Sequence, residues 1–126
     1  MIGNRMCKIS LAAALAMICM TPLANAARFD GNWSMVAETT RGHCGFIEIG
    51  LEIVRGRIYS TRGSFAFYPI QLGGRVSGSG QARMNAVAGP RIARGIGRFN
   101  QISGSGTWAG RGPSGLCSGV WTANRS

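Results

Sequence analysis

Glycine recurs so evenly along this chain that no long helix can be drawn through it. From Ala27 onward 19 of 100 residues are glycine, and each one placed inside a helix would cost about 1 kcal/mol relative to alanine. The runs between the glycines alternate apolar and polar residues with period two, the pattern of half-buried strands. "NWSMVAET" puts Trp33, Met35 and Ala37 on one side, and "FIEIGLEIV" aligns Ile47, Ile49, Leu51 and Ile53 opposite Glu48 and Glu52. "VRGRIYS" reads as a tight turn at Arg55 and Gly56 between two strands; "SGSG", "AGP" and "RGPSG" mark further turns. "FAFYPIQ" reads as one more strand, with Pro69 indicating an edge or a bulge. In "RIARGIGRF" the residues Ile92, Ile96 and Phe99 have helical spacing, yet Gly95 and Gly97 favour a strand.

The fold class that follows is all-β. A single small antiparallel meander of eight or nine strands closes into an up-and-down barrel of about eight strands, with a two-sheet sandwich as the alternative. Closure is preferred because it leaves no exposed strand edge.

The first 26 residues read differently. Arg5 and Lys8 precede the apolar run "ISLAAALAMICM", and "TPLANA" follows with Ala24 and Ala26 at small-residue cleavage positions. This is the layout of a secretory signal peptide, and the run falls short of the ~20 residues that cross a bilayer. We expect residues 1–26 to be a signal peptide and residues 27–126 a single all-β domain, periplasmic or extracellular, with no transmembrane anchor after cleavage. Cys7 and Cys19 leave with the signal, so the remaining pair, Cys44 and Cys117, is expected to form a disulfide in an oxidising compartment.

The only lysine, Lys8, also leaves. The rest carries 12 arginines against four acids, a net charge of 12 − 4 = +8. Guanidinium groups suit phosphate, sulfate and carboxylate, and an excess this large favours polyanions. Export argues against intracellular nucleic acid, which leaves anionic polysaccharide, lipid headgroups or an acidic protein. Most of the Arg-Gly dipeptides, at Arg41, Arg55, Arg62, Arg94 and Arg111, coincide with expected turns. Gathered at one end of a barrel, Arg41, Arg55, Arg57, Arg62 and Arg111 would form an anion-receiving rim.

Enzyme chemistry is not expected. His43 is the only histidine and neighbours Cys44, so on a strand the two point apart. Glu48 and Glu52 share a face but lie about 13 Å apart by strand rise, too far for paired-carboxylate hydrolysis. Neither a cofactor nor a metal is implied, because a zinc site wants four closely spaced ligands.

Every tryptophan follows a glycine by two positions: Gly31 and Trp33, Gly106 and Trp108, Gly119 and Trp121. On a strand the two share a face, so the missing side chain leaves room for an indole, and we assign all six to core packing. The motifs "FDGNW", "TTRGHC", "GSGTW" and "CSGVWTANR" resemble those of a group of short exported alphaproteobacterial proteins with no assigned function. That likeness implies compartment and fold and brings no catalytic or binding residues. Gly31, Trp33 and Arg125 also resemble the calycin barrels, in which a Gly-x-Trp on the first strand packs under an arginine from near the end of the chain. The resemblance implies a guanidinium laid over the Trp33 indole. A barrel this small is expected to be filled by its own side chains. A small apolar ligand would need a void among Met35, Ile47, Ile49 and Met84, and an inhibitor-like role would need a protein partner.

Overall fold

The structure, a computed structural model, describes residues 27–126; the expected signal peptide lies outside the described residues. A single 3₁₀ turn, Ala27–Phe29, leads into ten strands. These are β1 (Gly31–Arg41), β2 (Phe46–Val54), β3 (Arg57–Arg62), β4 (Ser64–Phe65), β5 (Tyr68–Pro69), β6 (Gln71–Val76), β7 (Gln81–Ala88), β8 (Arg91–Phe99), β9 (Ser103–Gly112) and β10 (Gly115–Arg125). Eight of them close an antiparallel barrel in the order β1-β10-β9-β8-β7-β6-β3-β2, which excludes the sandwich. "RIARGIGRF" is strand β8, as the two glycines require.

"FAFYPIQ" is not one strand. Ser64–Phe65 and Tyr68–Pro69 form a separate two-stranded hairpin, and the barrel resumes at Gln71. Its turn is made by Ala66 and Phe67 at φ 52° and 71°, left-handed conformations that cost an L-residue roughly 1–2 kcal/mol each. With neither Gly nor Asn there, the sequence carries no turn signal. The excursion thins the wall beside it, since β3 and β6 pair over only three residues, Arg57 to Tyr59 with Gly73 to Arg75. Beyond them the Ser60 hydroxyl stands in for the ladder. It donates to the Ile70 carbonyl at 2.9 Å and accepts from the Leu72 N–H at 2.9 Å.

Period-two alternation sets which residues face inward, and the register sets how high in the barrel each one sits. Phe29, Trp33, Phe99 and Trp121 meet at one end, with Phe99 edge-on to Trp33 at 4.9 Å between ring centroids and 5.5 Å from Trp121. Arg125 seals this end. Its guanidinium stands 4.7 Å over the Trp33 ring, a contact worth about 0.5–2 kcal/mol, and donates to the carbonyls of Gln101, Asp30 and Arg28. Asp30 accepts from the backbone N–H groups of Arg55 and Gly56 and so ties the β2–β3 turn to the same end.

Each glycine that precedes a tryptophan makes room for a different neighbour. Gly106 lies directly across from Trp121, and a Cβ there would stand 2.7 Å from the indole nitrogen. Gly119 lets the β1 backbone approach, since a Cβ there would be 3.0 Å from the Thr39 Cα. Gly31 yields to Arg125, whose Nη1 would lie 2.9 Å away. Trp108 is only half-buried, with its indole N–H donating to the Glu38 carbonyl at 3.3 Å.

Cys44 and Cys117 are bridged across a sequence separation of 73. In the chain-entropy account such a closure contributes roughly 4 kcal/mol. The bond ties the loop after β1 to β10 at the end of the barrel away from Arg125. A structural disulfide is the mark of a chain that matures outside the reducing cytoplasm.

Trp121 lies across a track of glycines on the neighbouring strands. At Gly97 an added Cβ would collide with the Trp121 ring and the Ser105 carbonyl, whereas at Gly73 its nearest neighbour would be the Ile58 carbonyl, 3.9 Å away. Gly97→Ala should therefore lower stability by about 3 kcal/mol, and Gly73→Ala should change it by no more than about 0.5 kcal/mol. Urea unfolding midpoints of the two variants check the contrast.

Candidate functional site

Away from Phe29, Trp33 and Phe99 the bore is lined by a mixture of small, aliphatic and aromatic side chains. Ala37, Ala86, Ala93, Gly95 and Gly110 face a cavity of about 120 Å³, walled further by Met35, Ile47, Ile49 and Met84. The expectation that side chains fill the bore is thus corrected for this half. Four strands contribute alanine or glycine at its level, and the larger side chains that also line it, Phe65, Leu72, Trp108 and Trp121, leave the space between them open.

The cavity opens between the loops that follow β1, β3, β7 and β9. The hairpin β4–β5 leans over this opening. Phe65 points in, packing on the core and lining the cavity. Tyr68 lies against the β7–β8 turn, where a Cβ on Gly89 would be 2.5 Å from its ring. Arg91, the first residue of β8, falls on the inward phase with Ala93 and Gly95. Its side chain crosses Gly112, and its guanidinium stands 5.3 Å over the Phe65 ring. An inward arginine at the mouth of an apolar cavity supplies a cation where a ligand enters.

The arginines singled out from the sequence do not share one rim. Arg41 and Arg62 end β1 and β3, and Arg111 is the last residue but one of β9, all at the open end, Arg62 with its stem folded over Gly50 on the outer wall. Arg55 occupies the β2–β3 turn at the opposite end, and Arg57 begins β3 beside it. What Arg57 joins is a row across the outer wall, where Arg57 pairs with Arg75 and Arg75 with Arg83 on three adjacent strands. All three are exposed. Like charges directly opposite one another destabilise a sheet, so the row is an electrostatic cost that an anion would relieve.

Arg75, Arg83 and Arg91 were missed from the sequence. For Arg91 a signal existed: counting by twos from the turn at Pro90 puts it on the inner face. The row could not be read, because the β3–β6 register depends on the intervening hairpin. Among the described residues no group of three or more metal-ligating side chains comes together. Among them, too, no helix is long and apolar enough to cross a membrane.

No protein-family model and no curated protein matches the chain. Among solved structures it is similar to a redesigned β-barrel, with a TM-score of 0.55 and 11% sequence identity over 81% of this chain and 95% of that one. At that identity the likeness bears on the fold alone.

The hairpin is fastened by the Arg91 and Phe65 stack. Arg91→Ala should speed amide exchange across residues 64–69, while unfolding stability falls by no more than about 1 kcal/mol. Hydrogen exchange read by mass spectrometry, beside a denaturant titration, checks this.

Proposed function

We propose that this protein is a non-catalytic binder, acting in the periplasm or extracellular space, that takes a small apolar group bearing an anionic end into the open half of its barrel. The observation that carries this reading is the apolar cavity with one inward arginine at its mouth. Its size suits a single ring or a short alkyl chain, since an engineered cavity of about 150 Å³ takes up benzene. The two methionines in its wall adapt to ligand shape at little cost. A carboxylate or phosphate left at the mouth would meet the Arg91 guanidinium, which carries its charge at any physiological pH.

The test is a methyl chemical-shift titration of Met35 and Met84 with phenylacetate and with toluene. Both probes should move the two methyl signals. Arg91→Gln should weaken phenylacetate about tenfold and leave toluene unchanged, a charged hydrogen bond being worth that much. Ala86→Leu, which fills the cavity, should abolish both responses. Methionine signals that stay put with either probe would sink the reading.

The outer row of Arg57, Arg75 and Arg83 favours a second reading, binding of an anionic polysaccharide along the wall. Replacing all three with Gln should lower the salt concentration of elution from heparin. It should do so clearly more than replacing Arg28, Arg94 and Arg98, which removes the same charge elsewhere. Equal shifts for the two triple variants would reduce the effect to net charge.

A further inference from the structure

We propose that the open end of the barrel docks on a lipid surface rich in anionic headgroups. Docking does not require the cavity to be occupied, so this goes beyond the ligand reading and stands or falls separately. Three large apolar side chains project from three different loops around the opening: Phe67 at the hairpin tip, Leu116 after the β9–β10 turn and Phe46 at the start of β2. They are 103%, 76% and 72% exposed; Leu116 and Phe46 adjoin residues that line the cavity, and Phe67 is on the same hairpin as the cavity-lining Phe65. Phe67 is held outward by its positive φ, a strained conformation that projects an aromatic ring into water with no partner in the fold. The opposite end has only Ile102 exposed to that degree, beside the less exposed Val54.

Arginines alternate with these protrusions. Arg41, Arg62, Arg91 and Arg111 all lie at the open end. Asp30 and Glu52 lie toward the far end and Glu48 lies on the outer wall, whereas Glu38 stands directly across from Phe46 on the neighbouring strand, so the tips with no carboxylate facing them are Phe67 and Leu116. Apolar tips that insert, surrounded by cations that meet phosphate, are what an interfacial site requires. The tips sit on separate loops around an opening and form no continuous flat patch. A fluid bilayer accommodates such a ring; a rigid protein partner would need a matching pocket for each tip. Docked this way, the cavity faces the hydrocarbon, and an apolar ligand passes between membrane and barrel without crossing water.

Residues 27–126 contain all eight strands of the closed barrel and the Cys44–Cys117 disulfide, so the barrel can be tested without the apolar N-terminal segment. Cosedimentation with vesicles of phosphatidylcholine containing phosphatidylglycerol should show binding at least about tenfold tighter than to phosphatidylcholine alone, weakening with salt. Phe67→Ser combined with Leu116→Ser should lower vesicle affinity about tenfold at an unchanged melting temperature, because both side chains are already in water. Replacing Arg57, Arg75 and Arg83 with Gln should reduce it less. Three results overturn the proposal: no preference for the anionic vesicles, a serine variant that binds like the parent, or an outer-row variant that loses as much as the serine variant. Because the vesicles carry no added ligand, failure here leaves the methionine titration unaffected, and the converse holds as well.

Discussion

The indole of Trp121 is laid across strands β8 and β9 at a place where glycine has removed the side chains in its path. Gly95, Gly97 and Gly106 form the track, and the indole N–H donates to the Ile96 carbonyl at 3.1 Å. Most of what distinguishes this barrel follows from that contact. A large ring seated directly against backbone lets Phe99 pack on it, with Trp33 and Phe29 packed on Phe99 in turn, so four aromatic rings fill one end of the bore. Toward the other end alanine, glycine and methionine are mixed with Ile47, Ile49, Leu72 and Trp108, and a cavity remains between them.

The asymmetry extends to polar groups. At the filled end the polar contacts are satisfied within the fold, with Arg125 spent on three backbone carbonyls and Asp30 on two backbone amides. At the open end Arg41 and Arg111 are exposed, and Arg91 faces an aromatic ring instead of a carboxylate. Twelve arginines against four acids from Ala27 onward make such an excess unavoidable. The register decides where the excess becomes pointed, as it does along Arg57, Arg75 and Arg83.

Strand identity, strand phase and closure were legible in the sequence because alternation and glycine-marked turns are local signals. The disulfide was legible because only two cysteines, Cys44 and Cys117, lie beyond residue 26. The β4–β5 hairpin was not, because its turn rests on Ala66 and Phe67, residues that ordinarily avoid positive φ. The cavity was not legible either. Period two says that Met35 and Trp33 both face inward, but the height at which each meets residues of the other seven barrel strands depends on stagger around the whole barrel. The Gly-x-Trp spacing suggested a shared face, and the structure shows that the partner of each glycine lies on another strand or at the chain end. Short-range pattern reports a residue's side of the sheet, whereas its neighbours across the bore are set by closure.

The two strands that complete the ring are the first and the last. β1 pairs with β10 along nearly its full length, the Ser126 N–H reaches the Asn32 carbonyl, and the Cys44–Cys117 disulfide joins the loop after β1 to β10 as well. While the polypeptide is still being synthesised, β1 has only one of its two neighbours, and the ring cannot shut until the final dozen residues emerge from the ribosome. Contacts of such sequence separation form late and slowly. The β6 to β9 hairpins need none of them, so the local meander and the closed ring are separate stages, and the seam between β1 and β10 is the one that joins them.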